Sequence, residues 1–305
     1  MIINNDIVSR LCSTCFGETP KKIERCSMGI GNYVFIVHIR GSRYTVRCSE
    51  EKNAYHETVH WLKLLSEIEI PVPRVIYSGQ FEDYQYIILS YLCGTDLGPA
   101  YSVLSNDDKR TIAREVIEIQ RKVAKLKTEL IPDDWKWQSF ISEMLDRAEY
   151  QISQNGYFSI DPVIQLREQS HLLDDYFESV RPIPYLDDIT TKNLLVENGH
   201  VSGIIDVDWM GFGDSLTFAA LTCVALLDME CDTDYIRYLM EELSPSKKQL
   251  QAFIFYCLLF CVDFMGERGT TFMDKTIEIS PKIIDRLNGI YDRLWKKWLE
   301  VISEE

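Results

Sequence analysis

Two apolar runs, Leu194 to Val196 and Val201 to Ile205, are separated by Glu197-Asn198-Gly199-His200, and this short stretch constrains the chain more than any other. Asn-Gly between two such runs predicts a β-hairpin, because both residues tolerate the left-handed backbone that a tight turn requires. A fold-back here gathers what enters and what leaves: Asp188 and Asn193 at the entrance, Asp206 at the exit. Two acids and an amide in one small volume suit phosphoryl transfer. One carboxylate takes the proton of an attacking hydroxyl, while an amide oxygen and a second carboxylate hold magnesium against the phosphates. Four residues separate Asp188 from Asn193, the interval between base and amide ligand in a kinase catalytic loop. The bland alternative is an acidic, metal-free surface hairpin, since Asp-x4-Asn alone is common. The trailing apolar strand and Asp206 favour the chemical reading.

The bulk properties set limits. A chain of 305 residues is long enough for two packed units. Its net charge of −15, from 47 acids against 32 bases, argues against general affinity for nucleic acid or an anionic membrane, and it suits a small cationic substrate. Met-Ile-Ile-Asn-Asn-Asp shows no basic region leading into an apolar one, so no signal peptide is expected. The most apolar segment, Phe253 to Val262, is too short to span a bilayer. Nine cysteines, odd in number and scattered, fit a reducing compartment. Cys12 and Cys15 fall on one helical face with Ile7, Val8 and Leu11, which reads as core thiols rather than a zinc or redox pair. A cytoplasmic monomer is expected.

Along the chain, a short amphipathic helix is predicted over 5–16, then strands at Ile23–Cys26, Tyr33–Arg40 and Tyr44–Cys48. Ser27-Met28-Gly29-Ile30-Gly31-Asn32 joins the first two strands, and its glycines would let backbone amides approach phosphate oxygens. A helix is predicted over Glu50–Glu67 with Ala54, Val59, Leu62 and Leu65 buried, then strands at Arg74–Gly79 and Tyr86–Tyr91. The stretch 92–97 breaks the periodicity like a hinge. Beyond it the chain reads as helical. Ser105 and Asp108 resemble a capping box before a helix carrying Ile112, Val116, Ile119, Val123 and Leu126 at helical spacing, and further helices are expected at 138–154, 161–180, 216–228, 233–243, 247–265 and 280–302.

A small sheet with a glycine turn, a hinge, and a helical region holding Asp-x4-Asn and a later Asp resembles the aminoglycoside phosphotransferase family of antibiotic and small-metabolite kinases. The resemblance covers roughly residues 20 to 300. It is most specific at Gly203-Ile204-Ile205-Asp206, followed at the family's spacing by Gly211-Phe212-Gly213-Asp214, with a further likeness at Ile70-Pro71-Val72-Pro73-Arg74-Val75. It implies an α+β, protein-kinase-like two-lobe fold: an antiparallel-sheet lobe with one main helix over 1–91, a hinge at 92–97 and a mostly helical lobe over 98–305.

By that similarity Asp188 is the base, Asn193 and Asp206 are the magnesium ligands, and ATP or GTP is the phosphate donor. Ser27, Gly29 and Gly31 would cover the phosphates. Arg47 stands where the family usually has a phosphate-binding Lys, with Glu57 holding it in place. The nucleotide ring would bond backbone groups near Ser90 to Leu92, and Asp214 would brace the loop. The acceptor, in relatives, meets an acid-rich surface. The acids here are Asp187, Asp228, Glu230, Asp232, Asp234, Asp263 and Glu267. Asp187 and the i, i+4 pair Asp263 and Glu267 are the candidate substrate contacts, the rest reading as solvated charges.

The chain departs from the family at three places. Its loop begins His-Gly-Asp, whereas this one reads Leu186-Asp187-Asp188, which removes a structural hydrogen-bonding group. Asp187 either raises the pKa of Asp188 by like-charge repulsion, binds a cationic substrate, or is simply solvated. Arg47 keeps the charge of the Lys but not its compact geometry, and Asp208 departs from the family's usual residue after Asp206, which would put a third acid near the metal. Three functions follow: a kinase of an aminoglycoside or related aminocyclitol hydroxyl; a kinase of a small alcohol such as choline, homoserine or methylthioribose; and a nucleotide-binding pseudokinase, which the Asp188, Asn193 and Asp206 set argues against.

Overall fold

The computed structural model describes residues 3–26, 33–127, 131, 134–272 and 275–303, and it divides into two compact units. The first comprises Met1–Gly94 and Ser202–Trp209, the second Thr95–Val201 and Met210–Glu305. The division after Gly94 lies within the stretch read as a hinge. That Ser202–Trp209 belongs with the first unit differs from the sequence reading, which assigned everything after residue 97 to the second. Two bonds hold the segment there: Ile204 N–H donates to the Pro71 carbonyl at 2.8 Å, and the Ser202 hydroxyl donates to the Cys93 carbonyl at 2.8 Å.

The first unit begins with α1 (Asn5–Phe16), capped by Asn4 at one end and by the left-handed Gly17 at the other. Strands β1 (Lys22–Arg25), β2 (Tyr33–Ile39) and β3 (Ser42–Ser49) follow, then α2 (His56–Glu67), β4 (Val75–Phe81) and β5 (Tyr84–Ser90). They make one antiparallel sheet in the order β1-β2-β3-β5-β4. Alternation along β2 turns Phe35, Val37 and Ile39 inward, where they meet Ile7, Val8, Leu11 and Cys12 of α1. Cys12 is therefore a core thiol, its pKa pushed up to about 12 by burial, and all nine cysteines are free. The helix predicted from Glu50 starts only at His56, because Asn53 adopts φ 60° and interrupts any helical run before it. Its buried face is consequently Thr58, Trp61, Leu62 and Leu65, while Ala54 and Val59 are half-buried.

The second unit runs through β6 (Thr95–Asp96), α3 (Leu97–Ala100), α4 (Asn106–Val123), α5 (Trp137–Asn155), α6 (Asp161–Gln169) and α7 (Asp174–Ser179). There follow β7 (Pro184–Tyr185), β8 (Leu194–Glu197), β9 (His200–Ile204), β10 (Gly211–Phe212), α8 (Leu216–Asp228), α9 (Asp234–Leu243), α10 (Lys247–Glu267), β11 (Thr271–Phe272), β12 (Lys275–Thr276) and α11 (Pro281–Ser303). The capping box is present at Ser105 and Asp108. The single helix expected over 161–180 is broken: residues 170–173 form a 3₁₀ turn, where the Ser170 hydroxyl bonds the Arg167 carbonyl and competes with the helix ladder. Helix α10 is long and apolar enough, by length and composition, to cross a bilayer, which the shorter run Phe253–Val262 is not; most of it is buried against α5, α8 and α11 as the central helix of its unit.

Candidate active site

The hairpin forms as its sequence requires. Strands β8 and β9 are neighbours, and Asn198 (φ 52°) and Gly199 (φ 79°) both occupy the left-handed region of a type I′ turn. Gly199 is required twice over, since a Cβ there would stand 2.1 Å from the Asp108 carboxylate. Glu115 pins the turn from α4, taking the Val201 N–H at 2.7 Å and the His200 ring at 2.6 Å. The unit boundary falls within β9, so Asp188 and Asn193 belong to the second unit and Asp206 to the first.

In the second unit the loop before β8 holds Asp188 between two neutral donors. Thr190 Oγ1 donates to Oδ1 at 2.9 Å, and Asn193 Nδ2 donates to Oδ2 at 2.8 Å and to the Asp188 carbonyl at 3.1 Å. The structure thus brings Asp188 and Asn193 together, and leaves the Asn193 amide oxygen as the end that can take a cation. Desolvation by the surrounding chain raises the Asp188 carboxyl above the usual carboxylate range, against the Thr190 and Asn193 bonds and the charge of Lys192. Asp187 is raised further, to about 6, by desolvation and then by the Asp188 charge. The repulsion expected from Asp187 on Asp188 therefore shows on Asp187 itself.

Leu186, where a structural His was expected by resemblance, is fixed by Gln120 of α4. That buried amide donates to the Leu186 carbonyl at 2.8 Å and accepts its N–H at 2.9 Å. Sequence reading missed Gln120, a polar residue inside an amphipathic helix whose only signal was its place among the apolar positions. Further along, Asp214 accepts the Tyr176 and Tyr256 hydroxyls and the Leu216 N–H, and Trp137 donates to Tyr256 Oη at 2.8 Å. Asp214 is spent on these bonds, in a structural role. Gly213 (φ 139°) lies so close to Trp137 that a Cβ would stand 2.2 Å from its ring.

The acidic residues sort by partner. Asp228 pairs with Arg268 and Arg286, Glu230 with Lys282, Asp232 with Lys109, and Asp234 with Arg237. Asp263, buried on α10, takes Arg147 Nε at 3.0 Å and Nη2 at 2.8 Å. Glu267 is raised by desolvation and by Asp263, and is stabilised as an anion by Arg147, Lys192 and Arg268. Lys192 is thus within electrostatic reach of both Asp188 and Glu267.

The first unit holds the other residues. Arg47 of β3 is buried, 7 % exposed, and donates Nη1 to Asp208 Oδ1 at 2.9 Å and Nη2 to Asp208 Oδ2; Nη1 also lies 3.4 Å from Asp206 Oδ1. Thr58 of α2 donates to Asp208 Oδ1 at 2.8 Å. Burial opposes the guanidinium charge, but Asp208 above all keeps its pKa raised. Removing one member of such a pair costs about 3–5 kcal/mol. Glu57, expected to hold Arg47, is exposed, and Asp208 fills that place. Asp206 is half-exposed on a left-handed backbone (φ 60°), a conformation that Asp adopts more readily than most residues. The Ser90 N–H and hydroxyl are bonded to Arg74, each at 2.8 Å, and Leu92 is half-buried beyond the strand end. Ser27, Gly29 and Gly31 lie outside the described residues. Among the described residues no three His, Cys, Asp or Glu side chains group to cage a metal. Taken separately, the Asp206 carboxylate in the first unit and the Asn193 amide oxygen in the second are each a hard oxygen donor of the kind magnesium takes.

Comparison with known proteins follows the same line. Residues 22–244 match the model of the phosphotransferase enzyme family. Curated protein sequences give no match. Among solved structures, a thermostable mutant of aminoglycoside phosphotransferase APH(4)-Ia, in a ternary complex with ADP and hygromycin B, matches with a TM-score of 0.67 at 17% identity, over 97% of this chain and 98% of that one. ADP-bound aminoglycoside phosphotransferase APH(2'')-Ib matches at 0.65 and 14% identity, over 96% and 99%. A protein assigned as a fructosamine-3-kinase from Haemophilus somnus 129PT matches at 0.63 and 14% identity, over 94% and 96%. These likenesses establish the fold as α+β, kinase-like and two-lobed.

Proposed function

The chain belongs to the phosphotransferase enzyme family, and from that premise we propose that it moves the γ-phosphate of ATP or GTP to a hydroxyl of a small cationic molecule, an aminoglycoside or related aminocyclitol. The observation that carries this reading is the Asp188 carboxylate, held by Thr190 and Asn193 and raised by desolvation toward the range where a general base works. Asp188 accepts the proton of the acceptor hydroxyl as the hydroxyl oxygen attacks the γ-phosphorus in line; the bond from that phosphorus to the β–γ bridging oxygen breaks, and the nucleoside diphosphate leaves. Thr190 and Asn193 keep the carboxylate aimed, and Gln120 keeps the loop in place behind it. Asn193 in the second unit and Asp206 in the first are each the family's candidate magnesium ligand, and the charge of that ion, when bound, would offset that of the phosphates.

Glu267 supplies the anion for an acceptor ammonium group, while Asp263 is already neutralised by Arg147. The aminoglycoside reading is supported by a relative of the same fold that carries ADP and hygromycin B. A metabolite kinase is the second reading, favoured by the fructosamine-3-kinase likeness and by the pairing of most of the acids, which leaves few for a polycationic drug. An ADP-release screen over aminoglycosides, fructosamines and small alcohols, each with and without magnesium, separates the two. Failure of every acceptor to elicit ADP release, together with no nucleotide-dependent thermal shift, would remove the kinase reading altogether.

A further inference from the structure

Arg47 occupies the position that suggests a phosphate-binding cation, but its bonds point elsewhere. Its Nη1 and Nη2 form a fork with the two carboxylate oxygens of Asp208, and Nη1 also faces Asp206 at 3.4 Å. Thr58, buried on α2, donates to the same Asp208 carboxylate. Arg47 lies beside the buried Tyr55 ring, 5.5 Å from its centroid, and is itself 7 % exposed. A phosphate could reach this guanidinium only by displacing a carboxylate from a buried two-pronged contact. The turn it grips carries Asp206, whose backbone is left-handed (φ 60°).

We propose that Arg47 is a positioning residue: through Asp208 it fixes the turn that presents the Asp206 carboxylate to the magnesium-bound nucleotide, and it does not bind the phosphates itself. This rests on the kinase reading above. Outer partners of a metal ligand act by orienting it. Arg is suited to the task because its planar fork matches a carboxylate, a geometry that Lys cannot reproduce.

The test measures binding of the non-hydrolysable ATP analogue AMP-PNP by calorimetry, with and without magnesium, for wild type, Arg47→Lys, Asp208→Asn, Arg47→Ala and the Arg47→Ala/Asp208→Asn double variant. Asp208→Asn and Arg47→Ala are each expected to weaken magnesium-dependent binding by about 10- to 100-fold. The double variant should be no weaker than either single one, and Arg47→Lys should fail to restore affinity. Metal-free binding should not change. The proposal is overturned if Asp208→Asn binds as well as or better than wild type, since a released Arg47 would then be serving the phosphates. It is equally overturned if Arg47→Lys matches wild type, or if Arg47→Ala loses affinity without magnesium. Should Arg47→Ala fail to fold, Asp208→Asn and Arg47→Lys still decide the question. A wild-type protein that binds no AMP-PNP would overturn the kinase reading itself, which is a separate result.

Discussion

The turn at Asp206–Asp208 and the loop at Asp187–Asp188 are both acidic, yet they manage their charge in opposite ways. In the first unit a buried guanidinium answers the Asp208 carboxylate, so charge is matched by charge and the turn is held mechanically. In the second, Asp188 is held by a hydroxyl and an amide, and desolvation is left to raise both carboxyls of the loop. An ion pair makes a rigid support, since neither member can change charge cheaply. Neutral donors suit the base proposed for Asp188, since they aim the carboxylate while lowering its proton affinity less than desolvation raises it. The difference teaches which acid is built to hold position and which to exchange a proton.

The strongest challenge to that contrast is Asp188→Asn. It should cut turnover by about 10² to 10⁴ while leaving the melting temperature and nucleotide binding near wild type. Full activity would strip Asp188 of its role. Next in size is Gln120→Leu, which leaves the buried N–H and C=O of Leu186 without their partner. A stability loss of about 1–3 kcal/mol by chemical denaturation is expected, with kcat lowered by about 10²-fold as the base is displaced.

A smaller effect concerns Asp187. Its carboxyl sits at about 6 in the folded chain against an ordinary 3.8, so between those values the folded state binds more protons than the unfolded one. Stability therefore falls as pH rises through that window. Asp187→Asn should flatten this part of the profile by on the order of 1 kcal/mol after solvent screening, read as melting temperature at pH 4.5 and 7.5. The smallest effect is Glu57→Gln: exposed Glu57 should change stability by no more than about 0.5 kcal/mol and leave AMP-PNP binding untouched. A large loss there would restore Glu57 as the partner of Arg47 and break the comparison.

Much of the architecture could be read residue by residue. The Asn198-Gly199 turn, the Ser105/Asp108 capping box and the inward face of α1 depend on residues at most a few positions apart, where backbone preference and periodicity act directly. The start of α2 was misread because Asn53 looked compatible with a helix, and its left-handed conformation shows only in the folded chain. The break at Ser170 escaped notice for a similar reason: its hydroxyl turns back on the Arg167 carbonyl, a bond that periodicity alone does not signal.

The chain's own order of residues, then, determined the hairpin, the capping box at Ser105 and Asp108, the apolar faces and the short interval that brings Asn193 back onto Asp188. Tertiary structure alone decided that Arg47 is met by Asp208, 161 positions away, that Gln120 clamps Leu186 across 66, and that Ser202–Trp209 packs with the first unit. The physical reason is range. Dihedral preference and side-chain periodicity act over one or two turns of chain, whereas the partner of a buried charge or amide is whichever group long-range packing carries within about 3 Å of it.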